Sequence, residues 1–416
     1  MKILFIHQNF PGQFRHIAQA LIDEEQHQVL SLCEPHAPGM SGVQRVEYKP
    51  ARDNTPGVHG YLAAVENHII RGQSAARALL QLKERGYQPD IIVAHMGWGE
   101  AIFPKDIFPQ VPLLTFFEFF YHTQGADAGF DPEYPLVLDD LLRIRSKNIT
   151  NLLSLEAADA GISPTHWQRN LYPAVYRDKI HLIHEGINTD AASPDPAAWV
   201  RLDSGLTLTR KDEVITYVSR NLEPYRGFHV FMRALPEILQ RRPNCRVLII
   251  GGDDVSYGRK LPAGETYRGQ MLAELQGKLD LSRVHFLGKI PYQQYLRVLQ
   301  ISTAHIYLTV PFVLSWSMLE AMSSGCLVIG SRTAPVEEVI VDGENGLLVD
   351  FFSGREIADA IDRVFAHPDQ MQALREAARA TILQRYPLKA GIQAYRDLFA
   401  HWLAETAQPL DSGTVR

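Results

Sequence analysis

Two arginines, Arg220 and Arg226, lie in the segment Ser219-Arg-Asn-Leu-Glu-Pro-Tyr-Arg-Gly-Phe228, directly after an apolar run. A guanidinium grips two phosphate oxygens at once in a planar fork, and Gly227 opens a following helix whose N-terminus favours anions. Phosphate recognition is the chemistry such a loop performs; a salt-bridged surface is the blander use of the same residues. Glu320 stands among Met318, Leu319, Ala321 and Met322. Burying a carboxylate there is costly unless hydroxyl donors such as those of a sugar reach it, whereas on a wet helix face it needs none. Asp90–Glu100 carries His95 and Trp98, a polar and an aromatic side chain suited to stacking on a sugar ring, and Glu118 and His122 follow the apolar run 112–117. Each of His95, Glu118 and His122 reads equally as a hydrogen-bonded residue at a strand end. Gly12, in the stretch His7-Gln-Asn-Phe-Pro-Gly-Gln13, lets the backbone approach a phosphate or sugar, or simply tightens a turn.

Short apolar runs alternate with longer amphipathic stretches, the pattern of parallel sheets flanked by helices. Strands are expected near 2–7, 27–32, 44–48, 90–94, 112–117, 159–162 and 180–183. Helices are expected at 13–24, where Phe14, Ile17, Ala18, Leu21 and Ile22 share one face, and at 58–86. The second half repeats the scheme, with EVITYVS, CRVLIIG, RVHFLG and AHIYLT as strands and helices near 227–240, 267–280, 291–299, 314–325 and 354–366. The aperiodic stretch 188–212, with Pro194 and Pro196, reads as a linker between an N-terminal domain of 1–187 and a C-terminal domain of 213–386. An amphipathic stretch at 387–405 has no strand after it and is expected to pack back on the N-terminal domain. The fold class expected is α/β, two Rossmann-like doubly wound domains facing across a cleft. Ligand crevices then lie at the strand C-termini, where helix N-termini present N–H groups to anions.

A chain of 416 residues, at roughly 150 per domain, accommodates two or three such units. The formal charge of −6 removes a global electrostatic case for nucleic acid as partner, leaving only local basic pockets. Cys33, Cys245 and Cys326 are too few and too scattered for a disulfide framework or a zinc site, which points to a reducing, cytoplasmic setting. The apolar opening is too short for a signal peptide, and no run of about 18 apolar residues predicts a membrane span. The basic stretch 141–153 leaves peripheral contact with anionic lipid open, against ordinary helix-surface charge. The first strand-to-helix turn lacks G-x-G-x-x-G, which disfavours a nicotinamide enzyme, and neither H-E-x-x-H nor a P-loop occurs.

Taken together, the opening MKILFIHQNFPGQF, SRNLEPYRGF, LGKIPYQQY, PFVLSWSMLEAMSSGCLVIGS and APVEEVIVDGENGLLVD resemble the retaining glycosyltransferases of family 4, over nearly the whole chain. The resemblance implies the GT-B fold, a nucleoside-diphosphate sugar as substrate rather than cofactor, and a glycan, lipid-linked or small-molecule hydroxyl as acceptor. It implies that Arg220 and Arg226 hold the diphosphate, with Arg226 standing where the family usually has Lys. The N–H groups near Trp316 and Ser317 would cap the same phosphates, Glu320 would accept the ribose hydroxyls, and the backbone at Ile290 would read the base edge. In the family's paired-glutamate motif Glu320 matches the second Glu, but Phe312 replaces the first. Where the family's strand end commonly presents a histidine, Glu118 stands, with His122 four residues on. The metal-holding D-x-D of the other major glycosyltransferase fold is absent, so no metal is expected. Retention implies that the acceptor hydroxyl attacks from the face the diphosphate leaves, its proton passing to a phosphate oxygen.

The expected function is therefore retaining glycosyl transfer. A same-fold epimerase or phosphorylase is the nearer alternative, and a catalytically silent sugar-nucleotide binder, suggested by Phe312, is the more distant one. Neither the base, the sugar, the acceptor nor the oligomeric state is readable.

Overall fold

The computed structural model describes residues 1–407, which divide into two compact units: 1–186 together with the chain from 388 on, and 187–387. In the first unit, seven parallel strands, β1 (Lys2–Ile6), β2 (Gln28–Cys33), β3 (Gln44–Glu47), β4 (Ile91–His95), β5 (Leu113–Phe116), β6 (Ala160–Ser163) and β7 (Ile180–Leu182), run in the order β3-β2-β1-β4-β5-β6-β7. Around them lie α1 (Arg15–Asp23), α2 (Ala63–Glu84), α3 (Pro104–Ile107), α4 (Leu138–Ala157), α5 (His166–Leu171) and α6 (Ala174–Arg177). The central strands β1, β4 and β5 are buried on both faces apart from Lys2, which is why they are written as unbroken apolar runs. Strand order reverses between β1 and β4, so the chain ends leaving these two strands diverge and open a crevice.

The second unit begins with two short antiparallel strands, β8 (Trp199–Arg201) and β9 (Thr207–Thr209). Its parallel sheet runs β12-β11-β10-β13-β14-β15, built from β10 (Val214–Asn221), β11 (Arg246–Gly252), β12 (Val284–Gly288), β13 (Ala304–Tyr307), β14 (Leu327–Ser331) and β15 (Leu347–Val349). Its helices are α7 (Phe228–Arg241), α8 (Tyr267–Glu274), α9 (Tyr292–Ile301), α10 (Trp316–Ser323), α11 (Ala334–Glu337), α12 (Gly354–Ala366) and α13 (Pro368–Arg385). Here the reversal falls between β10 and β13. The last helix, α14 (Leu388–Ala407), belongs to the first unit, where Tyr395, Leu398 and Phe399 share a core with Phe14, Ile17 and Leu21.

Residues 188–212, expected as a linker, are instead part of the second unit. Ala192, Ala198, Leu202 and Leu208 are buried in its core, and β8 and β9 pair across a turn. Single apolar anchors spaced among turn residues leave no period to detect. Helix α13 has no counterpart among the expected helices. Its buried side chains are Met371, Arg375, Ala378 and Ile382, and a guanidinium at an inward position masks the apolar repeat. No helix among the described residues is long and apolar enough to cross a membrane.

Candidate functional site

At the crevice of the first unit, the ends of β1, β4 and β5 bring together His7, His95 and Glu118, with Gln13 from the turn that follows β1. His7 Nδ1 accepts from the Asn9 N–H at 2.9 Å, which puts the ring proton on Nε2, and Nε2 donates to Gln13 Oε1 at 3.0 Å. Gln13 Nε2 in turn donates to Glu118 Oε1 at 2.9 Å, so one directed chain fixes a tautomer and an amide orientation. His95 Nδ1 likewise accepts from the Gly97 N–H at 3.0 Å, leaving its proton on Nε2, 3.9 Å from Glu118 Oε2. That Nε2 is buried and has no acceptor within hydrogen-bond reach. Burial pushes the His7 imidazole down to about 4, and burial together with the neighbouring His7 holds His95 well below the usual histidine range, so both rings are neutral. Trp98 stacks on His95 with ring centroids 4.7 Å apart, and Phe116 packs against the same imidazole at 5.4 Å. The result is a polar rim of one carboxylate and one unsatisfied N–H beside a flat aromatic face.

Two sequence-chosen residues of this unit, Gly12 and His122, make their contacts within the protein itself. Gly12 has φ +47°, and a Cβ there would collide with His7 Nε2, so the glycine makes room for the imidazole. Replacing it, Gly12→Ala, should cost about 1–2 kcal/mol for the left-handed backbone, plus displacement of His7. The check is a lower Tm accompanied by a rise in the pKa of His7 as NMR reads it, since the displaced ring regains solvent. His122 Nε2 bonds the Leu171 carbonyl at 2.7 Å, which ties the loop after β5 to α5 and leaves the ring outside the His7–Gln13–Glu118 chain.

In the second unit, the loop leaving β10 holds both arginines, but they differ. Arg220 is exposed at the strand end and has no hydrogen-bond or ion-pair partner among the described residues. Arg226 is 8% exposed. It donates to Thr309 Oγ1 at 2.7 Å, Tyr307 Oη at 3.3 Å and the Val313 carbonyl at 2.9 Å. The rings of Tyr257 and Phe312 lie 5.7 and 5.9 Å from its guanidinium carbon. The expected phosphate ligand is therefore occupied as a brace for the loop after β13. The backbone explains the inward turn: Pro224–Arg226 forms a single 3-10 turn, and Gly227 at φ +64° packs so tightly that a Cβ would meet Leu308 Cβ at 2.5 Å.

Between the arginines, Glu223 is 1% exposed and accepts from the N–H groups of Ser256, Tyr257 and Gly258 at 3.1, 3.1 and 2.8 Å. It pins the loop after β11 beside the loop after β10, with Asn221 Nδ2 on Ser256 Oγ at 2.8 Å as a second tie.

Helix α10 starts where the second crevice opens. Ser315 caps it, its Oγ accepting from the Ser317 N–H at 3.3 Å, so Ser317's amide is already used while Trp316 packs partly against the core. Ile290 likewise packs partly on that core, in the turn between β12 and α9. Glu320 is half-buried on α10 and receives a hydroxyl on each oxygen: Tyr292 on Oε1 and Tyr295 on Oε2, both at 2.7 Å. Burial raises its pKa, and the two hydroxyls pull the other way.

Comparison with known proteins agrees with this plan. The family described as glycosyl transferase family 4 group matches residues 25–192, and that described as glycosyl transferases group 1 matches 204–381. The chain belongs to the family 4-type glycosyltransferases. A D-inositol 3-phosphate glycosyltransferase of Corynebacterium urealyticum is 30% identical over 178 residues, which is 42% of this chain and 39% of that relative. The aligned part thus spans about two fifths of the relative's length. Among solved structures, sucrose-phosphate synthase from Thermosynechococcus elongatus superposes with a TM-score of 0.70 at 19% identity, covering 96% of this chain and all of that one. Anabaena HepE in complex with UDP-glucose does so with a TM-score of 0.68 at 17% identity, covering 96% and 100%. Both likenesses establish the GT-B fold.

In this family 4-type chain, sequence reasoning passed over His7, Gln13 and Glu223, although all three lie inside segments singled out for other residues. The available signal for Glu223 was a carboxylate between two arginines. It pairs with neither among the described residues, because three backbone amides take it instead.

Proposed function

We propose that this protein transfers a sugar from a nucleoside-diphosphate sugar to a hydroxyl of a glycan, lipid-linked or small-molecule acceptor, with retention of configuration and without a metal. The observation that carries the reading is Glu320. It is a half-buried carboxylate at the second unit's crevice with one hydroxyl on each oxygen, the arrangement in which a ribose diol would bind in place of Tyr292 and Tyr295. Family membership and the UDP-glucose in the HepE structure support the donor class. Arg220, exposed and without a partner, would take the diphosphate, with Arg226 holding the loop that carries α10. In the first unit Glu118 and His95 would orient sugar hydroxyls, one accepting and the other donating, against the Trp98 face. Fixed cationic charge and backbone dipoles are favourable to a departing diphosphate because they need no reorganisation. Three buried, unpaired cysteines accord with a cytoplasmic setting.

Incubating the protein with a panel of nucleotide sugars in excess EDTA tests the reading: slow donor hydrolysis releasing the sugar with its original anomeric configuration is expected. Inversion, or activity that needs added Mg²⁺ or Mn²⁺, would remove the corresponding part. Glu320→Ala should weaken nucleoside diphosphate binding by about tenfold or more, since hydrogen bonds to a charged acceptor contribute roughly 1.5–3 kcal/mol each. Calorimetric titration checks this, and unchanged affinity would place the ribose elsewhere. The cover of Phe312 and Tyr257 over Arg226 favours a second reading, a silent sugar-nucleotide binder, which the same panel distinguishes by binding without turnover.

A further inference from the structure

The edge of the second unit's sheet opposite its crevice holds a cavity of about 460 Å³, large enough for a small metabolite. Its walls come from residues just before β10, between α10 and β14, and along α13. Strand β10 runs from just after Arg210 to Arg220, roughly 20 Å, so this cavity is distinct from the Arg220 region.

Three guanidiniums line it: Arg210, Arg375 and Arg379. None forms an ion pair among the described residues, whereas Arg233, Arg241, Arg268 and Arg283 of the same unit each hold a carboxylate. The three are instead anchored by backbone carbonyls. Arg210 donates to Gly325 at 3.2 Å, Arg375 to Thr303 at 2.9 Å, and Arg379 to Ala192 at 3.2 Å and Thr189 at 3.3 Å. Carbonyls fix the position of a guanidinium without cancelling its charge. Arg375 is only 9% exposed, and its Nε is buried with no acceptor. Burial, and then the positive charge of Arg210, lowers its proton affinity, so the cluster gains if a counter-charge arrives. The one carboxylate in the wall is Glu376, at the rim, where Gln372 Nε2 donates to it at 2.8 Å. A second, shallower hollow of about 600 Å³ adjoins, sharing Pro196 and Arg210 and adding Lys211 and the half-exposed Trp199.

We propose that this paired groove is a second binding site, for a phosphate monoester, with the phosphate on Arg210, Arg375 and Arg379 and the organic portion lying along Pro196 toward Trp199. Preorganised cations beside a carbon-rich wall suit an ester better than a bare ion, because the wall has nothing to offer inorganic phosphate.

The proposal stands apart from the glycosyl-transfer reading, and its test separates the two. Calorimetric titration of the full chain with inorganic phosphate, glucose 6-phosphate and water-soluble dihexanoyl phosphatidic acid is expected to show saturable binding, tighter for an ester than for inorganic phosphate. A preference for glucose 6-phosphate assigns a soluble metabolite, and a preference for phosphatidic acid a lipid headgroup. Arg210→Gln removes one charged donor, and Gln372→Glu adds a carboxylate at an exposed rim position that no core packing depends on. Each should weaken the preferred ester by about tenfold, the loss expected for one charge-assisted hydrogen bond. Arg220→Gln, at the opposite edge, should leave its affinity unchanged. No saturable binding of any probe, affinity unchanged in either groove variant, or affinity lost in Arg220→Gln would overturn the site.

Discussion

Glu118→Gln should lower turnover by at least about tenfold, equivalent to ~1.4 kcal/mol of transition-state stabilisation, while nucleoside diphosphate affinity stays nearly unchanged. The geometry makes the substitution clean. A glutamine oxygen can still accept from Gln13 Nε2, so the His7–Gln13 chain keeps its direction, while the new amide NH2 replaces the oxygen that faces the His95 N–H. What disappears is the negative charge facing the buried His95 N–H, and with it the charged acceptor that the proposed function gives to a sugar hydroxyl. Charge-assisted hydrogen bonds are roughly twice as strong as neutral ones, so the loss is felt wherever a hydroxyl must be held during transfer. Because the diphosphate is assigned to the other unit, binding and turnover should separate. His122→Ala is the internal control: its ring serves the Leu171 carbonyl, so the expected loss is of stability more than of rate. A silent Glu118→Gln beside an inactive His122→Ala would transfer the role to the histidine.

The pairing of His95 with Glu118 shows what a sequence exposes and what it hides. Both residues follow apolar runs buried on two faces, and in a doubly wound sheet the C-terminal ends of such runs must meet at the strand-order reversal. Fold and location were therefore legible from periodicity alone. Hidden was the local backbone: nothing in the letters Pro-Tyr-Arg-Gly says that a 3-10 turn and a left-handed Gly227 will swing Arg226 inward under Phe312, leaving Arg220 as the exposed cation. Gly12 is ambiguous for a related reason, since a glycine that admits a ligand and one that admits a neighbouring imidazole are written identically. The 188–212 segment escaped because isolated anchors such as Ala192 and Leu208 carry packing without a repeat. Tertiary contacts between distant turns, such as Glu223 with the Ser256–Gly258 amides, have no one-dimensional signature at all.

Acid should unfold the first unit before the second. Burial pushes the imidazoles of His7, His68 and His184 down to about 4, holds His95 well below the usual range, and lowers His16 and His181; in the second unit it lowers His285 and takes His305 to about 3. Each of these groups binds a proton in the unfolded chain near pH 6.5 but in the folded chain only at a lower pH. Stability is therefore complete above 6.5 and falls as pH drops toward 4, by ~1.4 kcal/mol per pH unit for each fully buried histidine. The buried carboxyls with raised pKa act in the opposite direction, but they are balanced, Glu100 in the first unit and Glu320 in the second. Carboxylates held low, such as Glu24 and Asp280, contribute only below about pH 4.5. Between pH 6.5 and 4.5 the six histidines of the first unit thus outweigh the two of the second. Hydrogen exchange read by mass spectrometry at pH 7.5 and 5.0, corrected for the intrinsic rate, should show protection lost first in peptides from 1–186 and α14, with those from 187–387 retained. Equal loss in both units, or earlier loss in the second, would mean that the first unit's imidazoles are not held neutral in the way their burial dictates.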